Sequence, residues 1–551
     1  MTRVDPITGN VIVPFPHGFD PREALEEDDY AITLGVRGIV NGWNWDLAST
    51  YGDNHNDVST LDSANASLFA DTGFTPRNFF DGTFKASEWT TNLDISKDFQ
   101  VGLASPLTVA FGAEARKGTF GIGQGDAAST YKEGGQSYPG FQATDAGTHS
   151  RTNYAFYVDL AADPIPNLKV DLAGRYEHYS DFGSTAVGRL TARYDFTPAF
   201  ALRGTISSGF RAPTLAEEFY SATNVAPTFA VVQLPADSPA AQSAGFQRLR
   251  PEQSNNYSIG FVARPADRLQ ITLDAYLIDI KDRIVATANL LGITGKVAQG
   301  DPIPAGFVGG PSICATPGGC DLITSQGVLD AIAAHGNILD PQVTYVGIEV
   351  FTNGANTRTR GVELTADYAS DFGDIGHVDW TVGFNYNETT LTRQNPLPPK
   401  VAAPVIGQTV LLSPTAVTQL TTATPKAKVV LGAFFTHSNW TVNLRETVFG
   451  ESHETLSVDG TGNPGPQQVT AKIPVTAITD LEVGYAFTRW VRLNVGAENL
   501  FNHKTPTVPN VSCGPGCVRP GDGNNVYGEP DQFSPFGING GYYYGRLTFS
   551  W

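Results

Sequence analysis

GYYYGRLTFSW, residues 541–551, sets Tyr543, Gly545, Leu547, Phe549 and Trp551 on one face of an extended chain and Tyr544, Arg546 and Thr548 on the other. Side chains of a β-strand alternate between its two faces, so this pattern predicts a strand with one apolar side. It recurs along the chain. In HVDWTVGFNYN, residues 377–387, Val378, Trp380, Val382, Phe384 and Tyr386 oppose Asp379, Thr381, Gly383, Asn385 and Asn387. Leu481, Val483, Tyr485 and Phe487 oppose Glu482, Gly484 and Ala486, and Val491, Leu493, Val495 and Ala497 oppose Arg492, Asn494, Gly496 and Glu498. Val362, Leu364, Ala366 and Tyr368 oppose Gly361, Glu363, Thr365 and Asp367. Helical periodicity is nearly absent, the one fair candidate being SQGVLDAIAAHGNIL at 325–339. Alternation alone also fits a soluble sandwich.

The connections separate the two readings. About seventeen strands are expected, starting near residues 29, 43, 87, 106, 150, 167, 184, 198, 252, 268, 356, 376, 425, 439, 472, 490 and 541. Short turns at Asn41-Gly42, after residue 97, and at DPIPN, FTPA, RPAD, SDFGD, THSN and FTR alternate with long links near 59–86, 119–149, 212–250, 285–355, 390–424, 451–471 and 503–540. One link, near Ser180 to Gly183, is short where the alternation calls for a long one. A sandwich has no reason to keep every second loop tight. A transmembrane barrel does, with short turns on the periplasmic side and long loops outside. The fold class expected is therefore all-β, an antiparallel transmembrane β-barrel, with aromatics such as Trp43, Trp45 and Tyr542–Tyr544 at the interfaces.

Composition agrees. Charged residues are 17% and aromatics 11% of the 551 residues, as a lipid-facing band requires, and the 58 Gly and 36 Pro serve the many turns. The net charge of −19 argues against nucleic acid as a partner, because neutralising phosphate needs Lys and Arg. No stretch approaches ~18 consecutive apolar residues, so no membrane-spanning helix is predicted. The opening MTRVDPITGNVIVPFPHGFD lacks a charged start followed by an apolar run and does not read as a secretory signal peptide. Cys314 with Cys320, and Cys513 with Cys517, lie in Gly/Pro-rich stretches and are expected to form local disulfides, which suit an oxidising compartment. A metal site is the weaker reading, since neither pair is CxxC and no His is near.

Four elements carry a resemblance to a family. GAENLFNHK, residues 496–504, with Asn499, Leu500 and Phe501 at its centre, looks like the penultimate-strand signature of the TonB-dependent receptors, energised transporters of the bacterial outer membrane. NTRTRGVELTADY, residues 356–368, resembles their Arg-Gly-aliphatic-Glu-Leu strand through Arg360, Gly361, Glu363 and Leu364. SSGFRAPTLAEEFY, residues 207–220, resembles their Phe-Arg-Ala-Pro strand end at Phe210, Arg211, Ala212 and Pro213, followed by LRPEQS. The terminal strand, with Tyr543, Leu547, Phe549 and Trp551 on one face, looks like the assembly signal read by the barrel-assembly machinery.

The resemblance implies a 22-stranded barrel plugged by an N-terminal domain, of which this chain supplies strands 6–22. It also implies active uptake of a scarce small molecule, and TonB engagement through a plug and TonB box not found here. Residues 1–28 are then expected to be an extracellular-loop remnant and 29–551 the C-terminal barrel portion. The odd strand number, with a first strand running inward, supports a C-terminal fragment or one piece of a split receptor. Ferric siderophores and oligosaccharides both fit as substrates. Haem is disfavoured: LRPEQS stands where haem receptors carry Asn-Pro-Asn-Leu, and no His lies between residues 179 and 334. Arg175, Arg189, Arg193, Arg203 and Glu363 face the lumen as plug-binding or simply solvated residues, and Arg211 is expected to make a structural contact. There is no GxSxG, HExxH or P-loop, so no enzyme and no cofactor is expected. The alternatives are a self-contained porin and a secreted β-rich binding protein.

Overall fold

A computed structural model describes residues 2–4, 7–226, 229–339, 343–458, 467–514, 517–520 and 534–551. Seventeen strands build one barrel wall: β1 (Arg22–Val40), β2 (Trp43–Leu61), β3 (Phe79–Phe99), β4 (Leu107–Gly123), β5 (Gly147–Ile165), β6 (Leu168–Tyr179), β7 (Gly183–Thr197), β8 (Phe200–Arg211), β9 (Glu252–Ala266), β10 (Leu269–Ala286), β11 (Tyr345–Asp371), β12 (His377–Gln394), β13 (Ala427–His437), β14 (Trp440–Phe449), β15 (Thr476–Thr488), β16 (Val491–Glu498) and β17 (Tyr542–Phe549). Each pairs antiparallel with its sequence neighbour, from β1–β2 through to β16–β17. The strand order closes as a ring that sets β17 beside β1. Among the described residues, however, no residue of β1 is in register with one of β17. β17 and β1 thus meet at a seam with no ladder between them among the described residues.

Alternation sets the two faces of the wall. Ile32, Leu34 and Val36 on β1, Tyr257 and Ile259 on β9, and Leu547 and Phe549 on β17 stand exposed on the outside, as lipid-facing side chains do. Lumen-facing positions are polar and paired to one another. One recurrent device is an aromatic ring laid across a glycine of the neighbouring strand to reach a polar group on the strand beyond. Tyr157 passes over Gly112 to Asp94, 2.5 Å away, and Tyr276 passes over Gly361 to Asn387 at 2.7 Å. Tyr544 passes over Gly496 to Glu482 at 2.9 Å. A Cβ on any of these glycines would overlap the ring, so Gly361 and Gly496, both inside signature stretches, are required by close approach.

Two differences from the sequence expectation stand out. β1 begins at Arg22 rather than near 29, and the acidic run from Glu23 to Asp29, at the end away from its turn, pairs with β2 from Thr60 to Asn54. Backbone pairing needs no apolar side chains, so the hairpin continues above the membrane where polarity marks a loop. The long loops are not plain loops either. Helix α1 (Ala66–Thr72) follows β2; α2 (Leu215–Phe219) and α3 (Pro239–Ser243) follow β8; α4 (Gln326–His335) precedes β11; and α5 (Pro414–Thr421) follows β12. The predicted helix at 325–339 is α4.

The links after β8 and β10 fold together into a cap. Phe229–Leu234 runs parallel to Tyr345–Val350, the extended start of β11, and Leu290–Val297 pairs with the same stretch antiparallel. Val232, Leu234, Leu290, Val328, Ile332, Ile348 and Leu411 are fully buried between this sheet and α4, a hydrophobic core separate from the barrel. Cys314 and Cys320 are disulfide-bonded at the edge of the cap, with Cα atoms 5.6 Å apart. The second expected pair, Cys513–Cys517, falls on side chains outside the described residues. For the loop closed between Cys314 and Cys320, chain entropy predicts about 2 kcal/mol of local stabilisation. Serine at both positions is expected to speed proteolysis of residues 298–320 while leaving heat-modifiable gel mobility of the barrel unchanged. Equal cleavage rates in the two proteins would contradict this.

Candidate functional site

The segment that ends β8 does not leave the barrel; it turns inward. Phe210-Arg211-Ala212-Pro213 leads into α2, whose start is fixed by a capping box: the Glu217 amide donates to the Thr214 hydroxyl at 3.0 Å and the Thr214 amide to the Glu217 carboxylate at 2.8 Å. Arg211 bridges Glu217 at 2.9 Å and Glu252, at the start of β9, at 2.7 Å. Hydrogen bonding to Glu252 and then to Glu217 pushes the guanidinium pKa further up, so it stays charged at any accessible pH. Burial alone would raise Glu217, but Arg211 and the Thr214 amide hold it below its ordinary range. Arg211 is thus a clamp between the two arms of its own loop.

From the opposite side Arg151 on β5 completes the hold. It donates to the Pro213 carbonyl at 2.6 Å and to Glu218 at 2.7 Å, and it also bonds Asp181. Its side chain and that of Glu218 are almost wholly buried. Burial pushes the Glu218 carboxyl up, to about 8, against the pull of Arg151. The loop therefore roofs a lumen cleft of about 520 Å³ whose walls are the inner faces of β1 to β6. Asp29, Glu88, Arg116, Asn153 and Tyr179 line it, at the level where the outer wall changes from apolar Ile32 to acidic Asp28 and Glu26. Arg116 is paired with Glu114 at 2.9 Å and Glu88 at 3.6 Å, so the cleft presents hydroxyl, amide and carboxylate groups.

The cap closes over the same region through a buried polar junction. The Ser221 hydroxyl donates to Asp145 at 2.6 Å and lies 3.2 Å from His335 Nε2, at the end of α4. His335 Nδ1 is 2.7 Å from Asn337, which donates to Thr223 at 3.0 Å. Three loops distant in sequence meet there.

The other residues marked by the sequence divide by role. Arg175 pairs with Glu177 at 2.6 Å and Glu114 at 3.3 Å, Arg189 with Asp171 at 2.8 Å, Arg193 with Asp195 at 2.7 Å, and Arg203 with Asp274 across Gly260. Each is paired with an acid of the wall while part of its side chain stays exposed to the lumen. Glu363 accepts from Asn385 at 3.1 Å, and Leu364 stands on the lipid face opposite Leu273 and Phe384. Asn499 adopts φ 52° at the top of β16; its amide reaches Asp480 at 2.8 Å and its side chain brackets His503. The Leu500 carbonyl accepts from Tyr543 at 3.0 Å, while Phe501 is exposed. Tyr543, Leu547, Phe549 and Trp551 share the outer face of the last strand and are all exposed.

A residue that sequence reasoning passed over is Asp81, at the extracellular start of β3. It is fully buried, takes the Thr60 hydroxyl at 2.6 Å on one oxygen, and has no partner for the other. Burial first, and then the carboxylates of Asp126 and Glu23, push it up to about 7, against the Thr60 bond. A raised carboxyl stabilises the folded loops fully below its unfolded value and loses that contribution as pH rises through the folded one, here at a cost of at most about 4 kcal/mol. Protease sensitivity of the loops at 62–78 and 124–146 is expected to rise between about pH 4 and 7 and to level off above, and Asp81→Asn to flatten the profile. A wild-type profile flat over that range would count against it.

Strands of this length, an apolar outer band, a polar lumen and loops packed on one side define an outer-membrane β-barrel of a Gram-negative bacterium. The chain belongs to the TonB dependent receptor-like, beta-barrel family, which it matches over residues 8–500. Over 142 residues it is 28% identical to the iron-regulated outer membrane virulence protein of Vibrio cholerae, a match covering 26% of this chain and 20% of that protein. The siderophore receptor PirA of Acinetobacter baumannii superposes with a TM-score of 0.56 at 17% identity, covering 96% of this chain and 63% of PirA. A mutant of the ferric enterobactin receptor PfeA of Pseudomonas aeruginosa superposes with a TM-score of 0.58 at 15% identity, over 96% of this chain and 62% of that one. The chain thus spans less than two thirds of these receptors, and at such identities the likeness is one of fold.

Proposed function

We propose that this chain forms the wall and extracellular cap of a TonB-dependent transporter that takes up a ferric siderophore across the outer membrane. The observation that carries the reading is the inward-turned roof. Arg151 and Arg211 lock the Phe-Arg-Ala-Pro segment over a lumen cleft beneath a folded cap, an arrangement for capturing a solute from outside and presenting it to the lumen. The family and the iron-linked relatives support iron as the cargo. An oligosaccharide is the second reading, favoured by the hydroxyl-, amide- and carboxylate-lined cleft; haem stays disfavoured because LRPEQS stands where haem receptors carry Asn-Pro-Asn-Leu and no His lies between residues 179 and 334 of the sequence.

In operation the loops capture the substrate, and energy delivered through TonB opens a path past a plug. The partners on this reading are outer-membrane lipid, the TonB complex, the barrel-assembly machinery and a small-molecule substrate. The terminal face of Tyr543, Leu547, Phe549 and Trp551 is the proposed assembly signal, and no reaction is assigned to any residue. Growth on ferric siderophores as sole iron source tests the reading: expression of the encoding locus is to restore growth in a TonB-positive strain and not in a TonB-negative one. Growth independent of TonB, with stable ion channels in planar bilayers, would favour a porin; growth on a glycan alone would favour the second reading.

A further inference from the structure

The outer wall is not uniform in charge above the apolar band. On β1 and β2 the outward positions above Ile32 and Tyr51 are acidic: Glu26 pairs in register with Asp57, and Tyr30 with Asp53. On β10, β11 and β12 the same level is basic. The lipid face of β11 runs from Tyr368 through Ala366, Leu364 and Val362 and is followed at once by Arg360 and Arg358. That apolar stretch with its flanks is about the ~9–11 residues a tilted strand needs to cross the hydrocarbon. The two arginines therefore sit at the headgroup level of the outer leaflet.

Both are held rigidly. Arg358 uses Nε and Nη2 on Asp279, at 2.7 and 3.1 Å, and Arg360 uses Nε and Nη2 on Glu388, at 2.9 and 2.6 Å. Their Nη1 groups take no part in these pairs. Glu388 also accepts from Lys426 at 2.7 Å, and Lys281 projects two residues above Asp279 on the same face of β10. The arginines are more than half exposed while Glu388 is nearly covered, so the surface seen from the membrane is cationic. Four cations against two carboxylates stand out on a chain whose net charge is −19.

We propose that this patch, Lys281, Arg358, Arg360 and Lys426, binds the phosphorylated headgroup of an outer-leaflet glycolipid. A planar guanidinium with a free edge matches a phosphate, and carboxylates behind it keep that edge aimed outward. The acidic wall of β1 and β2 repels the same headgroup, which orients the lipid shell around the barrel.

The full chain, extracted from outer membranes in mild detergent, is to be titrated with bis-phosphorylated lipid A and with its dephosphorylated form, bound lipid being read by native mass spectrometry. Each basic residue near an anionic surface contributes about a factor of five, so the K281Q/R358Q/R360Q variant is expected to bind the phosphorylated form roughly a hundredfold more weakly. Arg445→Gln, which breaks a lumen-facing pair with Asp480, serves as the control and is expected to bind as wild type. Heat-modifiable mobility reports folding, and R358K/R360K, which keeps the charge, is expected to retain most of the affinity. Equal binding of both lipid forms to the wild type, a triple variant within twofold of it, or full competition by millimolar inorganic phosphate would each overturn the proposal.

Discussion

Arg151→Met is expected to release the roof of the lumen cleft while the barrel stays assembled. The substitution removes the one cation that reaches Glu218, Asp181 and the Pro213 carbonyl together. Removing it leaves Glu218, whose carboxyl burial already keeps largely protonated near neutral pH, and the Pro213 carbonyl without their buried donor, at about 1–3 kcal/mol for each group. Glu218, with its side chain 4% exposed, cannot recover hydration without moving out, and α2 moves with it. Hydrogen exchange of amides 212–221 is therefore expected to speed by roughly two to three orders of magnitude, since 1.4 kcal/mol is a factor of ten. Unchanged exchange in the variant would show that the capping box and Arg211 hold the loop alone.

Gly361→Val carries the second large effect and acts on the wall itself. The Tyr276 ring crosses Gly361 to meet Asn387, and the space that a Cβ would need is already taken by the ring and by the Tyr386 carbonyl. A branched side chain evicts Tyr276 and leaves Asn387 unpaired. Overpacking costs about 1–3 kcal/mol and the lost hydrogen bond about another one. The urea midpoint of unfolding, followed by tryptophan fluorescence in detergent, is expected to fall accordingly. Tyr276→Ala is to cost less in the Gly361→Val background than alone, because both remove the same crossing. Additive costs would show that the glycine serves backbone freedom instead.

Much of this molecule is legible in its residues. All seventeen expected strands are present, and the tight turn near Ser180 to Gly183 joins β6 to β7 where a long loop would fit the alternation. The signature stretches gain physical reasons only in three dimensions. Gly361 and Gly496 admit tyrosine rings, Asn499 turns the chain in a left-handed conformation, and Arg211 clamps its own loop. For the lumen arginines, alternation gives the side of the wall and says nothing of the partner. Their acids lie two residues along the same strand, on the adjacent strand, or one strand further, as Asp274 does for Arg203 across Gly260, and strand register decides which of them meets which cation.

Architecture and membrane location follow from the residues alone, because a barrel wall is written locally. Two-residue periodicity chooses the faces, and turn length chooses the side on which each connection lies. The cap, the roof and the cationic patch emerge only in the folded chain. Val232 packs near Ile348, Ser221 meets Asp145 and His335, and Lys426 reaches Glu388 across separations that no local pattern records. Those contacts form only after the wall has brought the loop ends together, and burial and charge pairing then select among them.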